Sequence, residues 1–244
     1  MKLIILAAGR GSRMGSLTEQ IPKCLIVFNG VTLIERQLGV IDSAGITDVA
    51  LVTGYKRELL PLTNKVEFYN PDWQETNILG SLMCADEWLS QEPCIVTYSD
   101  IFYQKEALLL LKNSNDNCSI TYDPDWLSLW SARFQDPLID AESFRLDSDS
   151  YVIQIGGRVE NTFEIEGQFM GLLKLTPSVW QTIKNLPNTE RGLRLDKLDI
   201  TSMLNKLIQG KFARVRALRY DGIWGEVDSS SDLDCYQRQR RLID

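Results

Sequence analysis

Residues 3–8 are an unbroken apolar run, Leu3-Ile4-Ile5-Leu6-Ala7-Ala8, which stops abruptly in Gly9-Arg10-Gly11-Ser12-Arg13. A run this short and this apolar predicts a strand buried on both faces, and such strands belong to parallel sheets covered by helices. Glycines directly after the strand let the backbone come close to a ligand and leave N–H groups free to donate to phosphate oxygens. Arg13, and Lys23 in Pro22-Lys23, add permanent positive charge beside that turn. Together these residues predict the handling of a nucleoside triphosphate. The bland alternative is a strand turn with an incidental Arg and Lys.

The spacing excludes two common phosphate motifs. A P-loop requires G-x-x-x-x-G-K-[ST], and no Lys-Ser or Lys-Thr follows these glycines. The dinucleotide fingerprint G-x-G-x-x-G is broken by Met14, with Gly15 one place late. What the stretch resembles is the nucleotidyltransferase family that activates sugar 1-phosphates and choline phosphate. Its L-A-A-G-x-G-(S/T)-R-(L/M) segment is matched by Leu6-Ala7-Ala8-Gly9-Arg10-Gly11-Ser12-Arg13-Met14, and its P-K-x-L by Pro22-Lys23-Cys24-Leu25. Ser16 and Thr32 stand where that family usually has proline. The resemblance implies that Leu6, Ala7, Ala8, Gly9, Arg10 and Gly11 cradle the nucleotide. It also implies that Arg13 steadies the β/γ-phosphates and that Lys23 contacts the α-phosphate or the acceptor phosphate.

Composition narrows the chemistry. The net charge is −7 with no basic run longer than Arg240-Arg241, which disfavours a nucleic-acid partner. There is no histidine, so His-based acid–base catalysis, Ser-His-Asp triads and histidine metal sites are excluded. Five scattered cysteines form no C-x-x-C pair and predict reduced thiols in a cytoplasmic protein. Leu3–Ala8 is too short for a signal-peptide core, and no apolar stretch nears the ~20 residues that span a bilayer, so no membrane partner is expected. Oligomeric state is open, a homodimer included.

The first half alternates strand and helix patterns. Val49–Thr53, Val66–Tyr69, Cys94–Tyr98 and Cys118–Tyr122 read as strands; Thr32–Ala44, Ile78–Leu89 and Lys105–Leu111 read as helices. Alternation at this spacing predicts an α/β, Rossmann-like, mostly parallel sheet with helices on both faces. Ligands then sit beyond the carboxyl ends of the strands. Residues 123–165 break the pattern and read as a small inserted lobe over the site, within one nucleotidyltransferase domain spanning 1–244. The pattern resumes with strand Phe169–Leu175, helices Pro177–Lys184 and Ile200–Gln209, strand Phe212–Leu218 and a closing helix Ser229–Ile243 with Asp232 in its first turn.

Two acidic segments are candidates for a divalent cation. Asp100 follows the buried strand Ile95–Tyr98, and Glu226 and Asp228 alternate in Trp224-Gly225-Glu226-Val227-Asp228, so both project to one side. Helix capping is the competing role for each. The family resemblance implies that Asp100 and Asp228 hold Mg²⁺, with Glu226 a weaker third, and Mg²⁺ suits hard carboxylate oxygens. It further implies a segment closing over the base, matched by Asn77-Ile78-Leu79-Gly80-Ser81, with Asn77, Gly80 and Ser81 as nucleotide contacts and Gly54-Tyr55 nearby. The closest likeness is to the phosphocholine cytidylyltransferase branch, which implies CTP as donor and a small phosphorylated acceptor. The middle region resembles a bacterial branch linked to capsule or surface-polysaccharide synthesis. Trp126 and Trp130 are candidates for a cation–π site on an acceptor ammonium, with Asp140 or Glu142 as its counter-charge; core packing is the competing role of the two tryptophans. Gln168 and Gly171 are further acceptor-side candidates, while Arg191 and Arg194 read as solvated. The alternatives are a sugar-1-phosphate uridylyl- or thymidylyltransferase, a glycosyltransferase on a similar sheet, and a non-catalytic nucleotide sensor. The glycosyltransferase would carry D-x-D, which Ser99-Asp100-Ile101-Phe102 lacks.

Overall fold

Strand β1 (Lys2–Ala7) lies inside a seven-stranded sheet, with Leu3, Ile4 and Ile5 wholly buried, so side chains on both of its faces are covered. The structure is a computed structural model and describes residues 1–186 and 194–238. Its other strands are β2 (Val27–Phe28), β3 (Val31–Thr32), β4 (Val49–Thr53), β5 (Val66–Tyr69), β6 (Cys94–Tyr98), β7 (Ile101–Tyr103), β8 (Cys118–Asp123), β9 (Phe144–Leu146), β10 (Val152–Ile155), β11 (Gln168–Leu175), β12 (Arg216–Arg219) and β13 (Trp224–Glu226). Its α-helices are α1 (Leu33–Ser43), α2 (Ile78–Met83), α3 (Asp86–Gln91), α4 (Lys105–Asn113), α5 (Trp126–Arg133), α6 (Pro177–Lys184), α7 (Ile200–Gln209) and α8 (Ser230–Arg238).

The large sheet runs β12-β8-β11-β6-β1-β4-β5. Its pairs are parallel except that β11 runs antiparallel to both β6 and β8. The fold is therefore the Rossmann-like, mostly parallel sheet expected. Both faces need helices, because β4 and β8 are buried at every position. Helix α1 packs on α4, while α2 packs on α7 and α3 on α6. Between β8 and β11 the chain forms α5, which packs on α8, and the β9/β10 antiparallel pair, which packs on α7.

Local chemistry explains the element ends. Helix α1 starts at a capping box in which Thr32 and Glu35 satisfy each other's backbone N–H, and it is followed by Gly45 at φ +66°. The pattern Ile78–Leu89 gives two short helices, because the chain turns at Cys84–Ala85. The expected strand Phe212–Leu218 is displaced to Arg216–Arg219: Lys211 at φ +54° turns the chain, and Phe212 is half exposed. Helix α8 starts as expected; residues 239–243 of the predicted closing helix and Arg191 lie outside the described residues. Among the described residues no helix is long and apolar enough to cross a membrane.

Two devices tie this frame to the site. Gln37 of α1 is buried and donates from Nε2 to the carbonyls of Tyr98 (2.7 Å) and Ile101 (2.6 Å), clamping the turn that carries Asp100. Strand β13 pairs antiparallel with β7, opposing Glu226 to Ile101, and Val227 N donates to Asp100 O at 2.9 Å. The late acidic segment is thereby stitched to the turn after β6.

Candidate active site

The first bend adopts a geometry that depends on Gly11. Its φ is +72°, and a Cβ there would lie 2.6 Å from Lys23 Cδ and 2.7 Å from Lys23 Cβ. The missing side chain is the channel through which Lys23 passes. Thr18 Oγ1 donates to Gly11 O (3.0 Å) and Tyr55 N donates to Ala8 O (2.9 Å), so the bend is held from both sides. Gly54 permits the second contact, since a Cβ there would sit 2.6 Å from Ala8 O. Gly11→Ala is expected to cost about 1–2 kcal/mol of stability from the left-handed backbone alone. It should also push Lys23 aside, so a melting curve and a turnover assay should both register it.

Lys23 ends among carboxylates. Its Nζ lies 2.6 Å from Asp100 Oδ2 and also donates to Asp228 Oδ1, and Arg13 Nη1 pairs with Asp228 Oδ2. Lys23 and Asp228 are buried, whereas the Arg13 side chain is 70% exposed. Asp100, Glu226 and Asp228 each place one carboxylate oxygen within 4.8 Å of the others. Burial pushes the Glu226 carboxyl well above its usual range, and the charges of Asp100 and Asp228 push it further. The Lys23 ammonium is held on its proton by Asp100 and Asp228 against the opposing effect of burial. Asp100 Oδ1 is buried with no hydrogen-bond partner. Three converging carboxylates, with one Asp100 oxygen buried and unpartnered, fit a divalent cation of the Mg²⁺ type, whose charge would add to that of Lys23 and Arg13.

Two cavities meet over this cluster. One, of about 310 Å³, is lined by Leu6, Ala8, Gly9, Gly11, Arg13, Lys23, Asn77, Ser81, Asp100 and Asp228 among others. The second, of about 350 Å³, is lined by Arg13, Trp130, Asp140, Glu142, Gln168, Gly171 and Glu226 among others. Arg13, Asn77, Ile78, Tyr98, Asp100 and Asp228 line both. Most of the predicted site residues are thus brought together around one junction.

Four are not. Trp126 is a correction: it is 4% exposed, sits in the main core and donates from Nε1 to Ile165 O, and it meets Trp130 edge-on at 6.2 Å. Trp130 is equally buried in the same core, and of the pair it is the one that lines the cavity. Gly80 packs rather than binds, because a Cβ there would fall 2.7 Å from Asp196 O. Ala7 is buried on the sheet, and Arg10 lies exposed over the Tyr55 ring at 6.0 Å. Gln168 lines its cavity, but its amide is spent on the Glu142 backbone, accepting from N (3.2 Å) and donating to O (2.6 Å), so it positions Glu142. Tyr55 buttresses Trp73, ring centroids 5.1 Å apart, and does not line the cavity itself. Arg194 is exposed and pairs with Asp196 at 2.6 Å.

Sequence reasoning missed Trp73, Thr76 and Tyr98 on the nucleotide side and Asp199 and Thr201 on the other. Asn70 gave the available signal in the 70–77 loop: its Nδ2 donates to Thr76 Oγ1 and Ser81 Oγ, a polar knot no bare loop needs. Asp199 reads locally as a helix cap, which it also is, since it accepts from Ser202 N.

Known proteins place this architecture. Residues 3–138 match the model of the MobA-like NTP transferase domain. A CTP:phosphoglutamine cytidylyltransferase of Campylobacter jejuni is 32% identical over 250 residues, covering 96% of this chain and 98% of its own. A 2-aminoethylphosphonate cytidylyltransferase of Lancefieldella rimae is 27% identical over 176 residues, covering 67% of this chain and 64% of its own. The solved CTP:phosphocholine cytidylyltransferase of Streptococcus pneumoniae superposes with a TM-score of 0.70 at 20% identity, covering 100% of this chain and 99% of that one, and shares the fold. A glycine bend, a cationic pair and a carboxylate cluster lie within or beside the matched span, and the match takes in more than half of the sequence: the chain belongs to the MobA-like NTP transferase family.

Proposed function

We propose that this protein transfers CMP from CTP to a small phosphorylated acceptor carrying an ammonium group, with release of pyrophosphate. The observation that carries the reading is the junction itself. One cavity opens on the glycine bend, the other on acidic side chains, and Lys23, Arg13, Asp100 and Asp228 stand where they meet. CTP as donor is supported by the cytidylyltransferases that match this chain.

The chemistry follows from charge. An acceptor phosphate is already anionic, so its oxygen needs no general base. That oxygen forms a bond to the α-phosphorus, the bond from the α-phosphorus to the bridging oxygen breaks, and pyrophosphate leaves with the electron pair. Free N–H groups of the bend bind the polyphosphate, Arg13 follows its outer phosphates, and Lys23 turns from its carboxylates to the α-phosphate or acceptor phosphate. Mg²⁺ held by Asp100 and Asp228, with Glu226 behind them, would supply further charge neutralisation when bound.

The acceptor cavity is acidic away from the junction. Asp140, Glu142 and Asp199 line it, and Thr201 Oγ1 sits 3.3 Å from both Glu142 Oε1 and Asp199 Oδ1. Burial raises both Asp140 and Glu142 above the usual carboxylate range. A cationic group on the acceptor would relieve both penalties. The test is pyrophosphate release with CTP, UTP or dTTP against phosphocholine, 2-aminoethylphosphonate, phosphoglutamine and glucose 1-phosphate. CTP with an ammonium-bearing acceptor should be the productive combination; faster release from UTP or dTTP with glucose 1-phosphate overturns the reading. Glu142→Gln should raise the acceptor KM roughly 10- to 100-fold, the worth of one charge-assisted hydrogen bond, and leave the CTP KM unchanged.

A further inference from the structure

Arg133 is the one guanidinium described here with a side chain at 0% exposure, and no step above uses it. It lies at the end of α5, yet both of its acidic partners are remote in sequence. Its Nε donates to Asp232 Oδ1 at 3.0 Å, and its Nη1 reaches Glu226 Oε2 at 3.4 Å. Asp232 in turn accepts on Oδ2 from Asp228 N (2.9 Å), Ser229 N (2.8 Å) and Ser229 Oγ (3.0 Å). The chain of contacts therefore runs from one buried guanidinium to the side chain of Glu226 and to the backbone of Asp228.

We propose that Arg133 and Asp232 are positioning residues for the cation-binding carboxylates, Arg133 orienting Glu226 and Asp232 fixing Asp228. The proposal rests on the metal reading given above. Its physical basis is that short carboxylates on a loop do not hold a metal geometry unless groups behind them fix their rotamers and backbone. Asp228 follows β13 at the start of a turn, and its own side chain is committed to Lys23 and Arg13. Its backbone contact with Asp232 places it independently of those two cations. Glu226 is secured twice: Tyr236 OH accepts from its N (3.2 Å) and donates to its O (3.1 Å), while Arg133 meets its carboxylate. A helix cap alone would explain the bonds from Asp232 to Ser229. It would not call for a buried arginine shared between the cap and Glu226, since desolvating a guanidinium is costly and a cap works without one.

The test is Mn²⁺ binding to the enzyme with CTP and no acceptor, read from the free-ion signal in electron paramagnetic resonance. Asp232→Asn and Arg133→Met should weaken Mn²⁺ about 10- to 100-fold, the usual effect of removing a partner of a metal ligand. Turnover should recover as the metal concentration is raised. Arg133→Lys should fall between, keeping the charge and losing the fork. Folded variants with wild-type Mn²⁺ affinity, or a turnover loss that saturating metal does not restore, overturn the proposal. If Arg133→Met does not fold, Asp232→Asn decides, because it keeps size and shape. A wild-type protein that binds no Mn²⁺ in the presence of CTP would instead strike the metal reading itself, and the two failures are told apart by that control.

Discussion

Lys23→Met is expected to lower pyrophosphate release roughly 10²- to 10³-fold, the range found when one preorganised donor is removed from a charge-developing transition state. The same substitution should destabilise the protein in chelator. Lys23 Nζ pairs with Asp100 and Asp228 at once, and both Lys23 and Asp228 have side chains only 9% exposed. Without it, Asp100, Glu226 and Asp228 face one another within 4.8 Å with Arg13 and Arg133 at their edges. Removing one partner from a buried ion pair costs about 3–5 kcal/mol. Added Mg²⁺ should then raise the melting temperature of the variant more than that of the wild type, because the cation takes over the missing charge. Near-normal turnover would remove Lys23 from the reaction. An unchanged melting temperature would show that the cluster does not depend on its ammonium.

How much of this was legible in the sequence depends on whether the signal is local. The β1 strand, the glycine bend and Lys23 lie within 25 consecutive residues, and each carries its own physical signature, so the nucleotide side could be read without coordinates. The large sheet was readable for the same reason, since its buried strands appear as apolar runs. The acceptor side is built differently. Thr201 meets Glu142 across 59 residues of sequence and links it to Asp199, and Arg133 meets Asp232 across 99. No periodicity or spacing encodes such contacts; each residue looks like an ordinary cap or surface charge in its own neighbourhood. The Trp126/Trp130 pair shows the limit of helical spacing. Four-residue separation puts both indoles on one side of α5 and both are buried, but Trp126 spends its Nε1 on Ile165 O, 39 residues away, while Trp130 lines the cavity.

Asp100→Asn should match Lys23→Met in lost turnover and depart from it in stability. Its activity should fall roughly 10²-fold or more, because it removes one anionic oxygen from the set that fits the divalent cation. Its stability in chelator should fall far less than that of Lys23→Met, because the Asn oxygen can still accept from Lys23 Nζ in place of the Asp100 Oδ2 ion pair. Asp100 is the largest of the charges that drive the Glu226 carboxyl upward, and the same charge helps to raise the Tyr98 phenol beside it. Neutralising it relieves both, while Lys23 keeps Asp228 and Asp228 keeps Arg13. Asp100 Oδ2 loses the charge of its pair with Lys23, Oδ1 has no hydrogen bond to lose, and the turn that carries the residue stays clamped by Gln37 and by Val227 N. Paired melting curves of the two variants in chelator therefore separate two readings of the cluster. A much smaller drop in Asp100→Asn than in Lys23→Met means that the carboxylates are held against their mutual repulsion and are kept for a cation. A drop in Asp100→Asn as large as that in Lys23→Met would mean that Lys23 and Asp100 form an ordinary structural ion pair, and that the acidic floor has no need of a metal.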